Sequence, residues 1–143
     1  MPSEYRLRRR VQFHETDAAG IVHFSWFFRY MEEAEHALWR AAGLSIAPPG
    51  AEIGWPRVAA AFEFHRALRF EQEFEVRLRL ADMTRTTLRY TCVLIDGETT
   101  IATGTMTVAC VQRRPNQPMQ GIAIPPEIAA RLQAAPAPPE PAA

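Results

Sequence analysis

Lysine is absent from this sequence: all 16 basic residues are arginines, and 16 acidic residues balance them. Without a lysine amine, neither Schiff-base catalysis nor a lysine-dependent phosphate loop is available. The formal net charge of +0 creates no strong field to attract nucleic acid or an anionic membrane, so we expect neither as a partner. The arginines that remain suit phosphate esters and, more commonly, ordinary surface ion pairs.

Long apolar runs are missing as well. Residues 1–12 are basic but lack the apolar run of about 7 to 15 residues that a secretory signal needs. No later stretch reaches the roughly 18 apolar residues of a membrane-spanning helix. We therefore expect a soluble, cytoplasmic protein.

Cysteine is rare, and the common catalytic signatures are absent. Cys92 and Cys110 fall in strand-like segments without metal-ligand spacing, so we interpret both as small buried hydrophobic side chains. The sequence has no phosphate-binding glycine loop, no G-x-S-x-G, no H-E-x-x-H and no paired-cysteine motif. We predict neither a metal site nor a bound cofactor.

What the sequence does contain predicts an antiparallel sheet. Residues 5–14 largely alternate apolar and polar side chains, with Arg9 interrupting the apolar positions, and this pattern indicates an opening strand. Four later segments are rich in β-forming residues, and we predict a strand in each: 57–70, 74–83, 86–95 and 99–112. Asp96-Gly97 is a hairpin signal between the last two. We expect these four strands to form an antiparallel meander.

One long helix is predicted over residues 24–42, where apolar side chains recur at helical spacing and polar side chains gather on the opposite side. Gly43 is expected to end it. Its apolar surface is wider than a surface helix requires, so other elements should wrap it on several sides. Residues 44–56 are rich in proline and glycine and indicate a loop.

The element order predicts an α+β domain over residues 1–134, with a five-stranded antiparallel sheet curled around one long helix. Residues 126–134 could add a short helix, whereas residues 135–143 are too rich in proline and alanine to pack and are predicted to be disordered. The sheet would have exposed edges, and pairing one of them with a second copy would stabilise it, so we expect at least a dimer.

Aspartate is scarce, and Asp17 has an unusual position among the three aspartates. It follows the first strand and lies seven residues before Phe24, where the apolar helix is predicted to start. The first turn of a helix leaves backbone N–H groups free, and its dipole stabilises a nearby anion by about 0.3 to 1 kcal/mol. Backbone amides near Phe24 could therefore polarise a carbonyl, an effect worth about 10²-fold or more in rate.

Structural explanations exist for Asp17 and for its neighbours. Asp17 could be an Asx-turn or helix-cap carboxylate that only shapes the chain. His14 and His23 flank the turn; a lone histidine is more often structural, although either could line a pocket or adjust the carboxylate.

Three glutamates near the turn and on the helix have ordinary explanations. We expect Glu15 to be solvated. Glu32 and Glu33 are explained as partners of His36 and Arg29 at a spacing of four residues, although a glutamate emerging beneath the sheet could act as a base.

Residues 11–44, VQFHETDAAGIVHFSWFFRYMEEAEHALWRAAGL, resemble the signature of the 4-hydroxybenzoyl-CoA thioesterase family: a strand, T/C-D-x-x-G-x-V, an aromatic residue and a helix. The resemblance continues more weakly through residues 55–80 and 102–112. It implies the hot-dog fold, a tetramer built from dimers with active sites at the dimer interface, and no cofactor beyond the CoA of the substrate.

The resemblance also assigns roles to individual residues. It implies that Asp17 is the catalytic carboxylate and that the backbone amide of Phe24 polarises the thioester carbonyl. Gly20 matches the glycine that lets the backbone approach the substrate, and His23 is a second candidate for the substrate pocket.

Two arginines after the last predicted strand, Arg113 and Arg114, are candidates for binding the CoA phosphates. Solvated side chains without a ligand are the alternative for both.

The resulting hypothesis is an acyl-CoA thioesterase for a small aromatic, short or branched acyl group, with Asp17 as nucleophile or general base. A hydratase or dehydratase using Asp17 and His23 is an alternative. It is disfavoured because five residues separate the two, against four in the D-x-x-x-x-H arrangement of hot-dog hydratases. A non-catalytic acyl-CoA or acyl-carrier binding module is the third possibility, since the fold alone supports all three.

Overall fold

One long helix lies against a five-stranded antiparallel sheet in the computed structural model, which describes residues 3–134. In chain order the elements are β1 (Glu4–Arg10), α1 (Ser25–Ala41), β2 (Ile53–Gly54), β3 (Arg57–Phe64), β4 (Glu73–Met83), β5 (Thr87–Asp96), β6 (Thr99–Ala109), β7 (Val111–Gln112), β8 (Gln120–Gly121) and α2 (Pro126–Ala129). A 3₁₀ turn, Phe13–Glu15, lies between β1 and α1. The predicted fold class is confirmed.

The helix and sheet share one core because each has an apolar face. From Phe74 to Leu80, β4 buries every second side chain, as the alternation of its sequence requires. From α1, the fully buried apolar side chains are Tyr30, Met31, Ala34, Leu38 and Trp39. Burying each large apolar side chain contributes about 1.5 to 3 kcal/mol, so the contact between helix and sheet stabilises the fold by several kcal/mol.

The helix has nearly the predicted bounds. Phe24 is its N-cap residue, and Gly43 follows its end with a φ of 77°. That left-handed conformation is the reason a glycine stands there.

The strands pair differently from the predicted meander. Only β4, β5 and β6 are successive neighbours; β3 pairs with β6 at one edge, and β1 pairs with β4 at the other. Residues 65–72 between β3 and β4 do not form a hairpin, because Leu68 is buried and its carbonyl accepts a hydrogen bond from Val22 N–H at 2.8 Å. Alternation indicates which face of a strand is apolar, but it does not identify the neighbouring strand.

Three predicted strands were too long at their ends. β1 stops at Arg10, β3 at Phe64 and β6 at Ala109, and Val111–Gln112 instead joins β2 and β8 in a small second sheet. The Asp96-Gly97 hairpin is confirmed, with Gly97 at a φ of 60° between β5 and β6.

The remaining predictions of organisation have mixed outcomes. The short C-terminal helix exists but spans only Pro126–Ala129. The predicted disordered tail, residues 135–143, lies outside the described residues. No helix between residues 3 and 134 is long and apolar enough to cross a membrane. The expected dimer stays a prediction, with β1 and β3 as the two edges of the sheet.

Candidate active site

The turn that carries Asp17 is held by hydrogen bonds of its own residues. Asp17 N–H donates to the Ile21 carbonyl at 2.9 Å, Gly20 N–H donates to the Asp17 carbonyl at 2.9 Å, and Ala19 N–H donates to Asp17 Oδ1 at 2.8 Å. Gly20 has a φ of 79°, a conformation that favours glycine. The hydrogen bond to Oδ1 agrees with the interpretation of Asp17 as an Asx-turn carboxylate. This bond occupies only one of the two carboxylate oxygens.

The helix start offers a free backbone donor next to this turn. Phe24 begins the first turn, and its carbonyl accepts a hydrogen bond from Phe27 N–H at 3.2 Å. The two N–H groups around Phe24 are used: His23 N–H donates to the Glu15 carbonyl, and Ser25 N–H donates to His23 Nδ1 at 3.3 Å. Phe24 N–H has no acceptor within residues 3–134. It is an unpaired donor at the positive end of the helix dipole.

Asp17 and Phe24 line one cavity of about 410 Å³, which we call the Asp17 cavity. Its wall is largely aromatic and aliphatic, with Phe27 and Phe64 in edge-to-face contact at a centroid distance of 4.9 Å. His65 and Arg66 contribute polar groups to the same lining. Phe64, His65 and Arg66 were not predicted as wall residues, because local sequence patterns do not place the end of β3 beside the helix start.

Gly20 and His23 are not part of the lining. His23 is exposed, and its Nδ1 lies 2.8 Å from Ser25 Oγ, while its ring lies 4.5 Å from that of Phe24. A Cβ added at Gly20 would meet open space, so the positive φ accounts for that glycine without a ligand. Their assignment to the substrate pocket stays a prediction.

The two candidate CoA-binding arginines lie elsewhere on the chain. Arg113 lines a second cavity of about 320 Å³ together with Trp55 and Arg57. Arg114 is exposed, with its Nε 4.0 Å from Glu52 Oε2, which is the geometry of an ordinary surface pair. Neither lines the Asp17 cavity, and their role in CoA binding stays a prediction.

Glu15 is not solvated as expected, because its side chain is fully buried. Its Oε1 accepts hydrogen bonds from Arg9 Nη1 at 2.8 Å, from Gln12 N–H at 2.8 Å and from Tyr30 Oη at 2.9 Å. Its Oε2 lies 2.6 Å from the same Arg9 nitrogen, although no N–H is aligned with it. The signal for this buried acid was Arg9, which interrupts the apolar face of β1 and therefore needs a counter-charge inside.

Arg9 also corrects the prediction for Glu33. Glu33 does not pair with Arg29; its two carboxylate oxygens accept from Arg9 Nε at 2.6 Å and Nη2 at 3.1 Å. The Arg29 guanidinium instead lies 5.4 Å from the ring centroid of Trp26. The prediction for Glu32 is confirmed, since His36 Nε2 lies 3.9 Å from its carboxylate.

A second buried acid, Glu35, was missed altogether. It is fully buried, and its Oε1 lies 2.5 Å from Arg57 Nη2 at the start of β3. Burial raises the pKa of Glu35, and the Arg57 charge opposes that shift. The signal was available, because Glu35 lies four residues after Met31 and three before Leu38, on the apolar face of the helix.

The cysteines have the predicted character. Both are free and buried. Burial raises the pKa of the Cys92 thiol to about 12, so it is protonated at neutral pH and is a poor nucleophile.

Similar proteins are known for this chain. A family model described as thioesterase-like superfamily matches residues 11–140. A protein of Aquifex aeolicus named "Putative esterase" is 37% identical over 105 residues, covering 71% of this chain and 79% of that protein. A Synechococcus elongatus protein named 1,4-dihydroxy-2-naphthoyl-CoA hydrolase is 25% identical over 118 residues, covering 80% of this chain and 87% of that protein. The crystal structure of a hypothetical protein from Aquifex aeolicus has a TM-score of 0.82 and 31% identity, covering 90% of this chain and 99% of that one.

Proposed function

Because this chain belongs to the thioesterase-like superfamily and has the hot-dog fold that the motif in residues 11–44 predicted, we propose that it hydrolyses the thioester bond of a small acyl-CoA. The observation that carries the proposal is the shared cavity: Asp17 and Phe24 line the same space, and the Phe24 N–H has no acceptor among residues 3–134. The proposal places the thioester carbonyl oxygen at that N–H and the carbonyl carbon next to the Asp17 carboxylate.

The Phe24 amide supplies the electrostatic part of the reaction. When the carbonyl carbon becomes tetrahedral, its oxygen takes a negative charge, which the N–H and the helix dipole stabilise. Loss of one such donor costs about 10² to 10³ in rate. A backbone donor cannot be removed by changing its side chain, so this contribution is independent of the residue type at position 24.

Asp17 supplies the covalent or proton-transfer part. In one route a carboxylate oxygen attacks the carbonyl carbon, the C–S bond breaks with release of the CoA thiolate, and water hydrolyses the mixed anhydride. In the other route the carboxylate removes a proton from a water whose oxygen attacks the carbonyl carbon, and the C–S bond then breaks with release of the CoA thiolate. The hydrogen bond from Ala19 N–H to Oδ1 orients the carboxylate and leaves Oδ2 for either task.

The cavity wall favours an aromatic acyl group over a short or branched one. Phe27 and Phe64 meet edge to face, and an aromatic ring packed against this pair from the cavity gains about 0.5 to 1.5 kcal/mol per contact beyond its buried area. The relative named 1,4-dihydroxy-2-naphthoyl-CoA hydrolase supports the same choice.

A second copy of the chain would complete the site. Phe64 ends the edge strand β3 and is 49% exposed. Pairing of β3 with β3 of a second copy would cover this residue and the open side of the cavity. We accordingly propose a dimer, or a tetramer of such dimers, as the active form.

Asp17→Asn tests the proposal directly. The amide keeps the size of the side chain but is neither a nucleophile nor a base, so steady-state release of free CoA should be abolished while the melting temperature and acyl-CoA binding are retained. Asp82→Asn is the matched control, because Asp82 is exposed on β4 and should keep full activity. Near-normal turnover in Asp17→Asn would remove Asp17 from the mechanism.

Single-turnover hydrolysis in ¹⁸O-water separates the two routes, because a label recovered in the Asp17 carboxylate requires the anhydride. Tight acyl-CoA binding without thiol release by the wild-type protein would instead indicate a binding module.

A further inference from the structure

We propose that Glu15, together with Arg9, is a positioning residue for this hydrolysis: the buried pair sets the placement of the Asp17 carboxylate relative to the Phe24 amide. The inference rests on the proposed function, but its structural part can be measured without any substrate. Neither residue lines the Asp17 cavity, so any effect on turnover has to act through the residues they hold.

The side chain of Glu15 fixes the chain just before Asp17. Its Oε1 accepts from Gln12 N–H at 2.8 Å and closes the 3₁₀ turn Phe13–Glu15, two residues from Asp17. The same oxygen accepts from Arg9 on β1 and from Tyr30 on α1. One carboxylate therefore joins the first strand, the catalytic turn and the helix.

The main chain of Glu15 fixes the other side of the site. Its carbonyl accepts from His23 N–H at 2.9 Å, and His23 directly precedes Phe24. Next to this bond, Thr16 and Val22 form an antiparallel bridge. Glu15 thus contacts both ends of the loop that separates Asp17 from the helix start.

Arg9, on β1, links Glu15 to the helix α1. Besides its bonds to Glu15, its guanidinium holds both carboxylate oxygens of Glu33 and lies 4.6 Å from the ring centroid of Tyr30. Because Glu15 is fully buried, loss of the Arg9 charge would leave the Glu15 carboxylate uncompensated in the interior. Loss of the Glu15 charge would leave Arg9 paired with Glu33 alone and would release the bonds that Glu15 Oε1 makes to β1, to the 3₁₀ turn and to α1. The loop 16–24 would then shift or loosen, and a misplacement of about 1 Å costs about 10²-fold in rate.

The chain provides a matched control for a purely structural role. Glu35, on α1, is also fully buried and also has an arginine partner, Arg57, at 2.5 Å, but within the described residues it has no hydrogen bond or ion pair to the loop 16–24. Glu35→Gln should therefore destabilise the protein in the manner of Glu15→Gln without moving the catalytic groups.

The experiment compares kcat and KM for benzoyl-CoA in the wild type, Glu15→Gln and Glu35→Gln, at a temperature well below each melting point. We expect Glu15→Gln to lower kcat by about 10- to 100-fold, with KM changed less than about threefold, and Glu35→Gln to keep kcat within about threefold. Equal loss of kcat in the two variants, or no loss in Glu15→Gln, would overturn the proposal.

If Glu15→Gln does not fold, two tyrosine variants replace it. Tyr30 and Tyr90 are both fully buried; the Tyr30 hydroxyl donates to Glu15, whereas the Tyr90 hydroxyl accepts from Trp39 Nε1 at 3.0 Å. Tyr30→Phe should lower kcat severalfold and Tyr90→Phe should not. Indistinguishable kcat values for the two would contradict the positioning role.

Amide hydrogen exchange separates this proposal from the proposed function. Exchange at residues 16–24 should accelerate at least about tenfold in Glu15→Gln and stay unchanged in Glu35→Gln. Unchanged exchange there overturns the positioning proposal whatever the activity. Full turnover in Asp17→Asn overturns the proposed function, while the exchange result still decides whether Glu15 holds the loop.

Discussion

Phe64→Ala tests whether the Asp17 cavity receives an aromatic acyl group. Phe64 is 49% exposed in the single chain, and its aromatic contact in the cavity is the edge-to-face pair with Phe27 at 4.9 Å. An aromatic ring of the substrate would lose a contact of the same kind.

The expected magnitude follows from that one contact. An aromatic pair contributes about 0.5 to 1.5 kcal/mol beyond its area, and about 1.4 kcal/mol corresponds to a factor of ten in kcat/KM. We therefore expect kcat/KM for benzoyl-CoA to fall by about 2- to 12-fold, mainly through KM, while kcat/KM for isobutyryl-CoA changes less than about twofold.

The assay is thiol release from both substrates by the wild type, Phe64→Ala and Phe70→Ala. Phe70 is the control because it is 50% exposed and does not line the cavity. A Phe64→Ala variant that loses the same factor on both substrates, or a Phe70→Ala variant that shows the same selectivity change, would refute the reasoning that the cavity selects an aromatic ring.

Two further predictions concern stability and reactivity. Gly20→Ala should lower the free energy of unfolding by about 1 to 2 kcal/mol, measured by urea denaturation, because an alanine at a φ of 79° is strained although its Cβ has room. Gly121→Ala is the control, since Gly121 has neither a positive φ nor a clash, and its free energy of unfolding should stay within about 0.5 kcal/mol of the wild type. Equal losses in the two variants would contradict the strain argument. Burial raises the pKa of Cys92 to about 12, so roughly 1 thiol in 10⁴ is ionised at pH 8. Iodoacetamide should therefore label Cys92 only after denaturation. Rapid labelling of Cys92 in the native protein would show that the thiol is accessible.

The site was predictable where its parts are close in the sequence. Asp17 precedes an apolar helix by a few residues, and the physics of a helix start together with the family motif pointed to Phe24. Both residues line one cavity in the structure. The opposite wall of the cavity could not be predicted from local sequence. Phe64 ends β3 and His65 follows it, and the position of both depends on the pairing of β3 with β6 rather than with β4.

The network of charged side chains also shows that local sequence patterns do not identify a partner from a distant segment. Spacing along the helix assigned Glu33 to Arg29, four residues away, whereas a stronger bidentate partner, Arg9, reaches it from β1. Arg9 stands 24 residues earlier in the chain, so no helical rule could find it. The position of Arg9 on the apolar face of β1 indicated that a buried acid exists. It did not indicate which acid this is.

The fold class, the long helix, the alternation of the strands and the Asp17 turn could all be predicted from the sequence, because each depends on residues close together in the chain. The strand order, the aromatic wall of the cavity and the burial of Glu15 and Glu35 could not. These depend on contacts between distant segments, where the cost of burying a charge is offset by whichever partner the packing brings within reach.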